Sequence, residues 1–369
     1  MSNNNLNHAK KAKNDEFYTQ KWDVEQELTR YRESFTDKAI LCNCNDTHSA
    51  FFHYFYRQFG FLKLKQLICV NYNMNGSSSY ALLYKGGSDS DLEYKQGLTK
   101  IPLKSNGDFR SDECIEFLKQ SDIVVTNPPF SLEREFIKQL KDYHKQFLII
   151  GNMNMVTYKE VFPLIMNQKM WLGAGKLTDF DTPDGQGKKV AGLTRWFTNM
   201  PVKKTTDQVV VFEDWGFAPH PKYDNYTAFE VSKVVDIPAC LSVETDISKI
   251  DFSDWKSVYK DDLTVLSDLG SEYRVKINRP IYGVPITFVD KYNPSSILEK
   301  HNLGKEFDIL GATESEGNGA SHGIWIKSSK VKQPLIDGKR KYKRLFIRVK
   351  PGVTQFKKDV LTNVSTTPD

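Results

Sequence analysis

Four consecutive residues, Asn127-Pro128-Pro129-Phe130, carry the most specific chemistry in this sequence. A planar exocyclic amine, such as N6 of adenine, is a poor nucleophile because its lone pair is delocalised into the ring. Acceptors on both of its N–H bonds would pull the nitrogen towards tetrahedral geometry and localise that lone pair. The side-chain oxygen of Asn127 and the backbone carbonyl of Pro128, which the prolines hold in place, are the candidate acceptors. Phe130 is a candidate to stack on the face of the base.

An ordinary strand-to-helix turn is the alternative explanation, since Asn-Pro is a common turn dipeptide. The tetrapeptide follows the β-branched run Ile123-Val124-Val125 and precedes a segment, 132–143, with helical periodicity. This pattern predicts a strand, a rigid turn and a helix.

Strands and helices alternate through the first half of the chain, which predicts an α/β fold with a parallel, doubly wound sheet. The predicted strands lie at 38–45, 67–72, 123–127 and 146–152, and 73–100 is predicted to be a long loop or a hairpin. Strands at 170–173, 191–197 and 208–212 could finish the sheet. Thr19 is a candidate N-cap for a helix that follows it.

Ligands of such sheets bind outside the carboxyl ends of the strands. Polar residues follow several of the predicted strands and would share that edge. They are Asn43, Asn45, Asn71, Asp108 and Asn127. Each alone would be an ordinary turn residue, so their common location is what makes a site.

The pattern changes at about residue 213, where proline and tyrosine become frequent. Residues 283–289 and 307–311 read as strands, and the Gly-rich loop 316–323 carries Asn318 and His322. The chain then reaches a hairpin signal, Asp337-Gly338, set among basic residues. The cations of this hairpin, which fit either phosphate contacts or a solubilised sheet edge, are Lys339, Arg340, Lys341, Lys343 and Arg344.

Composition sets the outer limits on function. The chain has 369 residues, of which 39% are hydrophobic and 26% charged, as is normal for a soluble globular protein. The net charge of +5 is compatible with a polyanionic partner. Five unpatterned cysteines and no signal peptide predict a cytoplasmic protein. Cys42-x-Cys44 lacks zinc spacing, and we predict no metal, no P-loop nucleotide site and no membrane span.

Six segments together resemble the amino-methyltransferases that use S-adenosylmethionine, and more closely the EcoRI-type adenine-specific DNA methyltransferase family. They are 14–20 (NDEFYTQ), 41–46 (LCNCND), 127–130 (NPPF), 194–199 (TRWFTN), 223–226 (YDNY) and 283–288 (GVPITF). The first strand lacks the Gly-x-Gly common in the wider superfamily, and 239–280 looks like an insertion relative to the family pattern.

The resemblance implies a Rossmann-like, doubly wound methyltransferase sheet with a C-terminal α+β target-recognition region. We place a basic arm at 1–13, the methyltransferase domain at 14–213 and the target-recognition region at 214–369. It also implies S-adenosylmethionine as cofactor, double-stranded DNA as partner, and N6 methylation of an adenine flipped into the Asn-Pro-Pro-Phe pocket. We expect a monomer or a weak dimer.

Site residues follow from the same resemblance. The cofactor would be bordered by Phe17, Tyr18, Thr19, Cys42, Asn43, Asn45, Asp46, Asn71, Asp108, Phe109 and Asn127. Asp108 would accept from the cofactor's adenine amine, Phe109 would lie against its ring, and Asn71 or Asp46 would contact the ribose. The predicted DNA contacts are Arg195, Asn318, His322 and the hairpin cations.

Two other functions stay open at this point. The same turn could serve an RNA adenine or a protein glutamine methyltransferase, because both acceptors are planar amines. The basic C-terminal end favours nucleic acid over a protein side chain. A non-catalytic nucleic-acid-binding homologue is the other alternative, and a cofactor-binding measurement would separate it.

Overall fold

The computed structural model describes residues 18–43, 49–73, 79–86, 97–181, 188–202, 221–234, 237, 241–290, 292, 306–313 and 333–353. The chain divides into two compact units. These are Met1–Thr205 with Ser295–Ile297, and Thr206–Pro294 with Leu298–Asp369. Within the described ranges, every helix is too short or too polar to cross a lipid bilayer.

The described part of the first unit combines short strands and short helices. Its strands are β1 (Tyr18–Thr19), β2 (Ala39–Cys42), β3 (Gln66–Asn71), β4 (Tyr80–Tyr84), β5 (Leu98–Pro102), β6 (Ile123–Thr126), β7 (Gln146–Asn152), β8 (Trp171–Leu172), β9 (Asp179–Asp181), β10 (Lys188–Val190) and β11 (Thr194–Thr198). Its helices are α1 (Lys21–Leu28), α2 (Arg32–Phe35), α3 (Ala50–Arg57), α4 (Phe59–Leu62), α5 (Asp112–Gln120), α6 (Glu133–Asp142) and α7 (Phe162–Met166).

Eight of these strands form one mixed sheet in the order β5-β4-β3-β2-β6-β7-β11-β8. The central strands β3, β2, β6 and β7 are parallel, and the flanking pairs are antiparallel. The expected α/β class is therefore confirmed, while the expected parallel sheet is wrong because the sheet is mixed. Within 73–100, the described residues of β4 and β5 form an antiparallel pair, as the hairpin alternative predicts, whereas 74–78 and 87–96 lie outside the described residues.

The two innermost strands, β2 and β6, are buried along their whole length. Every residue of β2 and β6 is buried, including the apolar pairs Ile40-Leu41 and Val124-Val125. Continuous apolar runs of this kind are typical of parallel strands that are covered on both faces.

Serine side chains cap the first turns of α3 and α5. Ser49 Oγ accepts from the backbone N–H of Phe51 at the start of α3, and Ser111 Oγ accepts from that of Cys114 in α5. The predicted N-cap at Thr19 is wrong. The N-cap of α1 is Gln20, and Thr19 lies in β1 instead.

A second sheet of the first unit has the order β1-β9-β10, with Thr19 opposite Phe180 and Tyr18 opposite Asp181. Strand β9 follows the segment 173–178. This small sheet therefore places residues 18–19 next to residues 180–181, which lie far away in the sequence.

The described part of the second unit is mainly β-structure. Its elements are β12 (Phe229–Glu230), β13 (Ser242–Ser248), α8 (Phe252–Tyr259), β14 (Leu263–Asp268), β15 (Glu272–Asn278), β16 (Tyr282–Pro285), β17 (Phe307–Ala312), β18 (Leu335–Ile336), β19 (Lys339–Arg340) and β20 (Arg344–Val349). They form sheets in the orders β12-β16-β20-β17, β13-β15-β14 and β18-β19.

Two expectations for this unit change in detail. The strand expected at 283–289 is β16 only as far as Pro285, and a 3₁₀ helix continues to Asp290. The basic hairpin is present at Asp337-Gly338, both with positive φ as a tight turn requires, but it spans only 335–340. The chain then leaves the hairpin, and β20 pairs with β16 and β17. The strand expected at 208–212 lies outside the described residues.

Candidate active site at the carboxyl edge of the sheet

Three asparagines lie at the carboxyl ends of adjacent parallel strands. Asn43 follows β2, Asn71 ends β3 and Asn127 follows β6. The hydroxyl of Thr126 donates to the carbonyl of Asn43 at 2.6 Å, which joins the ends of β2 and β6. The expected common edge is therefore present, because these strands are parallel neighbours in the sheet.

The Asn127 turn leads directly into a 3₁₀ turn, Phe130–Leu132, and then into α6. The carbonyl of Pro129 accepts from the backbone N–H of Leu132 at 2.9 Å, which closes that turn. Pro128 is buried, whereas Asn127 and Phe130 are half-buried. A rigid backbone thus holds one amide and one aromatic ring at the sheet edge.

Strand β1 contacts this turn. Asn127 Nδ2 donates to Thr19 Oγ1 at 3.5 Å. The Phe130 ring meets Phe180, the strand partner of Thr19, edge-on with centroids 6.5 Å apart. Of Tyr18, only the backbone is described, and it pairs with Asp181.

The loop 105–110 packs against the end of β3. The N–H of Asn73 donates to the carbonyl of Asn106 at 2.9 Å. Gly107 has φ +81, and a Cβ at that position would lie 2.5 Å from the carbonyl oxygen of Asn71. Only glycine fits this approach, which sets the neighbouring Asp108 beside the sheet edge.

Asp108 is held by Arg110. Its Oδ1 accepts from the backbone N–H and from Nε of Arg110, both at 2.9 Å, and its Oδ2 accepts from Nη2 at 2.7 Å. The second Nη of Arg110 reaches Glu135 on α6 at 2.9 Å. The hydrogen bonds from Arg110 hold the pKa of Asp108 below its usual value, so the carboxylate is charged at neutral pH.

Phe109 points inward from the same loop. Its ring is buried and meets Phe136 of α6 edge-on at 5.0 Å, and its carbonyl accepts from Gln139 Nε2 at 3.0 Å. The structure gives Phe109 a packing contact. The predicted contact with a cofactor ring stays a prediction.

Cys42 and Asn43, at the end of β2, place different chemical groups at the sheet edge. Cys42 is fully buried in the hydrophobic core and is in no disulfide with another described cysteine. Asn43 Oδ1 is buried and accepts no hydrogen bond from the described residues. A buried acceptor of this kind suits a ligand with N–H or O–H donors. Phe17, Asn45 and Asp46 lie outside the described residues, and in the described ranges no three acidic, His or Cys side chains group as metal ligands.

Sequence reasoning missed two acidic residues on α1. Asp23 and Glu27 are buried one helical turn apart, and both accept from the backbone of the segment that precedes β9. Asp23 Oδ2 accepts from the N–H and the hydroxyl of Thr178 at 2.8 and 3.0 Å. Glu27 accepts from the N–H groups of Ala174 and Gly175 at 2.9 and 2.5 Å. The signal in the sequence that could have indicated them is their i, i+4 spacing, which places both carboxylates on one face of a helix.

The predicted DNA contacts fall into different environments. Lys339 and Arg340 are exposed, and Lys341 and Lys343 are half-buried. Arg195 is half-buried in β11, where its Nη1 donates to the carbonyls at 192 and 194 at 3.1 and 2.9 Å. Asn318 and His322 lie outside the described residues.

Arg344 is buried and paired. Its Nη2 meets Glu230 Oε1 at 2.9 Å, and the hydroxyl of Tyr223 donates to Glu230 Oε2. The Tyr223 hydroxyl oxygen also lies 3.0 Å from the carbonyl oxygen of Gly283. Arg344 therefore neutralises a buried carboxylate, and its predicted role as a phosphate contact stays a prediction.

A mixed α/β sheet with an amide-bearing Pro-Pro turn at the carboxyl edge defines a candidate amino-group methyltransferase. The family model described as "Adenine-specific methyltransferase EcoRI" matches residues 5–243 of the chain. The chain belongs to this family, and it is an adenine-specific DNA methyltransferase of the Type II class.

The chain is similar over most of its length to three Type II methyltransferases. The Type II methyltransferase M.EcoRI of Escherichia coli is 39% identical over 343 residues, which cover 84% of this chain and 94% of that protein. M.MpnI of Mycoplasma pneumoniae is 32% identical over 370 residues, covering 94% of this chain and 99% of that protein. M.MgeORF184P of Mycoplasma genitalium is 32% identical, covering 93% and 98%. No solved structure gives a significant match.

Proposed function

We propose that this enzyme transfers a methyl group from S-adenosylmethionine to N6 of an adenine in double-stranded DNA, with the target base flipped to Asn127. The observation that carries the proposal is the location of the Asn127 amide. It lies at the carboxyl end of β6, next to Asn43 of the neighbouring strand β2 and two strands from Asn71, at the sheet edge where doubly wound sheets bind their ligands.

The residues at the edge fit the cofactor. Asn43 Oδ1 is a buried acceptor that matches an ammonium or hydroxyl donor. A carboxylate offers about four lone-pair sites, and Arg110 occupies three on Asp108, which leaves one site on Oδ2 for an adenine amine. The cofactor, when bound, supplies a methyl group that its sulfonium already activates.

The protein's part is then to position and tune the target amine. Asn127 Oδ1 and the Pro128 carbonyl accept from its two N–H bonds and localise its lone pair. Phe130 stacks on the extruded base, a contact worth about 1–3 kcal/mol, which offsets part of the few kcal/mol that leaving the duplex costs. We propose that the second unit recognises the target DNA and that the first unit has a Rossmann-like methyltransferase fold.

The test is methylation of duplex DNA by the purified protein, with single-stranded RNA and glutamine peptides as parallel substrates. We expect N6-methyladenine in the duplex only, at one sequence context. Asn127→Ala should lower kcat by at least about 100-fold, since it removes a group that acts on the reacting atom.

Asp108→Ala is the matched comparison. It should raise the Kd of the cofactor by about 10-fold, the effect of losing a hydrogen bond to a charged group, while Asn127→Ala leaves that Kd within about 2-fold. Equal loss of cofactor affinity in both variants would contradict these roles, and methylation of RNA or peptide alone would replace the proposed substrate.

A further inference from the structure

The Asn-Pro-Pro-Phe turn, residues 127–130, is held in different ways at its two ends. At its start, β6 lies inside the sheet between β2 and β7. At its end, the chain makes one 3₁₀ turn, Phe130–Leu132, and enters α6. The proposed roles of the Pro128 carbonyl and the Phe130 ring need both ends to stay in place. The position of α6 along its own axis therefore matters for the reaction.

Apolar packing sets that position only loosely. The buried apolar residues of α6 are Phe136, Ile137 and Leu140. Hydrophobic burial is non-directional, so it fixes the axial position of a helix less sharply than a hydrogen bond does. Glu135 and Gln139 of α6 make directional bonds, and these reach the loop 105–110, which lies outside the strands of the sheet.

Glu133, the first residue of α6, makes a directional contact with the sheet itself. Its side chain is 2% exposed, and its Oε1 accepts from the backbone N–H of Asn152 at 2.7 Å. Asn152 is the last residue of β7, the strand next to β6. The carboxylate therefore ties the end of the turn to the same carboxyl edge that carries Asn127. We propose that Glu133 is a positioning residue of methyl transfer, which holds the Asn-Pro-Pro-Phe turn against the end of β7. This inference rests on the proposed function.

Asn152 is well fixed as the partner of this carboxylate. Its side chain caps the 3₁₀ helix Met153–Thr157, and its backbone lies opposite Thr194 in β11. Arg134, the next residue of α6, lies over the ring of Tyr158 just beyond that 3₁₀ helix, with its Cζ 4.2 Å from the ring centroid. Two consecutive residues of α6 thus contact the segment that begins at the end of β7.

A purely structural role is the competing explanation, because a carboxylate in the first turn of a helix also stabilises that helix. The two roles differ in what they change in enzyme that stays folded. A structural group changes the free energy of unfolding and leaves kcat of the folded enzyme unchanged. A positioning group changes kcat. It leaves the cofactor Kd unchanged, because the proposed cofactor contacts at Asn43 and Asp108 lie outside α6.

The decisive variants are Glu133→Ala, which removes the acceptor, and Glu133→Gln, whose amide oxygen can still accept from Asn152. Asp122→Ala is the matched control. Asp122 Oδ2 accepts from the backbone N–H of Ala39 at 2.8 Å, at the amino ends of β6 and β2. The control therefore removes the same kind of bond at the opposite edge of the sheet.

We expect Glu133→Ala to lower kcat by at least about 10-fold at a temperature where the variant is folded, since a misplacement of about 1 Å can cost about 100-fold. The cofactor Kd should stay within about 2-fold of the parent's value. Glu133→Gln should retain most of kcat, and Asp122→Ala should retain kcat even where it lowers the melting temperature. Unchanged kcat in Glu133→Ala, or the same loss in Glu133→Gln or Asp122→Ala, would overturn the proposal.

A second measurement does not need turnover. Hydrogen exchange of the Leu132 amide reports on the turn, because its N–H donates to the Pro129 carbonyl. Glu133→Ala should speed exchange at Leu132 and Asn152, and Asp122→Ala should not. Unchanged exchange at Leu132 in Glu133→Ala sinks the proposal, whereas faster exchange in a protein that methylates no DNA would overturn the proposed function alone. If Glu133→Ala does not fold, Glu133→Met, whose side chain is of similar length, takes its place in both measurements.

Discussion

At the scale of single residues, Asp108 shows how a neighbour decides the state of a site group. Three hydrogen bonds from Arg110 hold its pKa below the usual value, and the same guanidinium reaches Glu135. The carboxylate is therefore a fixed acceptor at any pH near neutrality. Arg110, which the sequence pattern did not single out, sets the position of Asp108 as well as its charge.

Arg110→Gln should return the pKa of Asp108 towards the ordinary value of about 3.9. Because the pKa is lowered in the folded state, the carboxylate stabilises the fold above about pH 3.9 and loses that effect as pH falls through the folded pKa. The measurement is a ¹³C titration of the Asp108 carboxyl, with Lys141→Gln on the exposed face of α6 as control. The same carboxyl pKa in parent and Arg110→Gln would be inconsistent with this account.

The Arg344–Glu230 pair makes a second prediction at this scale. Both side chains are buried, at 8% and 3% exposure, so removing one partner leaves an uncompensated charge. Arg344→Met should lower the free energy of unfolding by about 3–5 kcal/mol. Combining it with Glu230→Gln should recover part of that loss.

Denaturant titration measures these changes, and exposed Arg340→Met is the control. A loss of DNA affinity in Arg344→Met without a loss of stability would support Arg344 as a phosphate contact and contradict its assignment to stability.

At the scale of elements, helix α1 acts through its buried acidic face. Asp23 and Glu27 accept from a segment about 150 residues away in sequence, and burial raises the pKa of Glu27 despite its hydrogen bonds. Tyr31 adds a further donor to Glu27 at 2.9 Å. The helix therefore organises the chain before β9 as well as packing on the core.

Asp23→Ala should release that segment, since it removes the charged acceptor of the Thr178 backbone N–H, at a cost of about 1.5–3 kcal/mol. Hydrogen exchange of the Thr178 amide should accelerate, and exchange in the central strands should change little. Glu25→Ala, on the half-exposed face of the same helix, serves as the control. Uniform acceleration throughout the sheet would mean global destabilisation and no specific anchor.

At the scale of the whole molecule, the net charge of +5 suits a polyanionic partner. The short hairpin β18–β19 concentrates exposed cations, Lys339 and Arg340, beside a tight turn. Asp224 accepts from the N–H groups of Asp337 and Gly338 at 3.2 and 2.8 Å, which holds the turn in place. The two cations are thus presented on a fixed backbone.

If the hairpin contacts phosphates, Lys339→Gln with Arg340→Gln should reduce the salt slope of DNA binding by ~0.9 for each phosphate that the variant no longer neutralises. Binding to cognate and non-cognate duplexes should weaken alike, because phosphates carry no sequence information. DNA affinity is measured against salt concentration, with exposed Lys256→Gln on α8 as control. An unchanged slope would make the hairpin a solubilised edge, and a selective loss on cognate DNA would make it a base reader.

Local patterns in the sequence determined one central strand, one hairpin and the sheet edge that carries the candidate site. The β-branched run before Asn127 makes β6, the Asp-Gly pair makes a hairpin, and adjacent parallel strands put Asn43, Asn71 and Asn127 at one edge. Each of these follows from interactions within a few residues, or from the rule that parallel strands end on the same side.

Long-range contacts were decided only by the tertiary structure. The pairing of Thr19 with Phe180, the anchoring of Thr178 by Asp23 and the burial of Arg344 against Glu230 join residues more than a hundred positions apart. In the sequence, Thr19 resembled a helix cap and Arg344 one more surface cation. Which neighbour a polar side chain meets depends on how the sheets pack, and a buried polar group takes whichever partner satisfies it there.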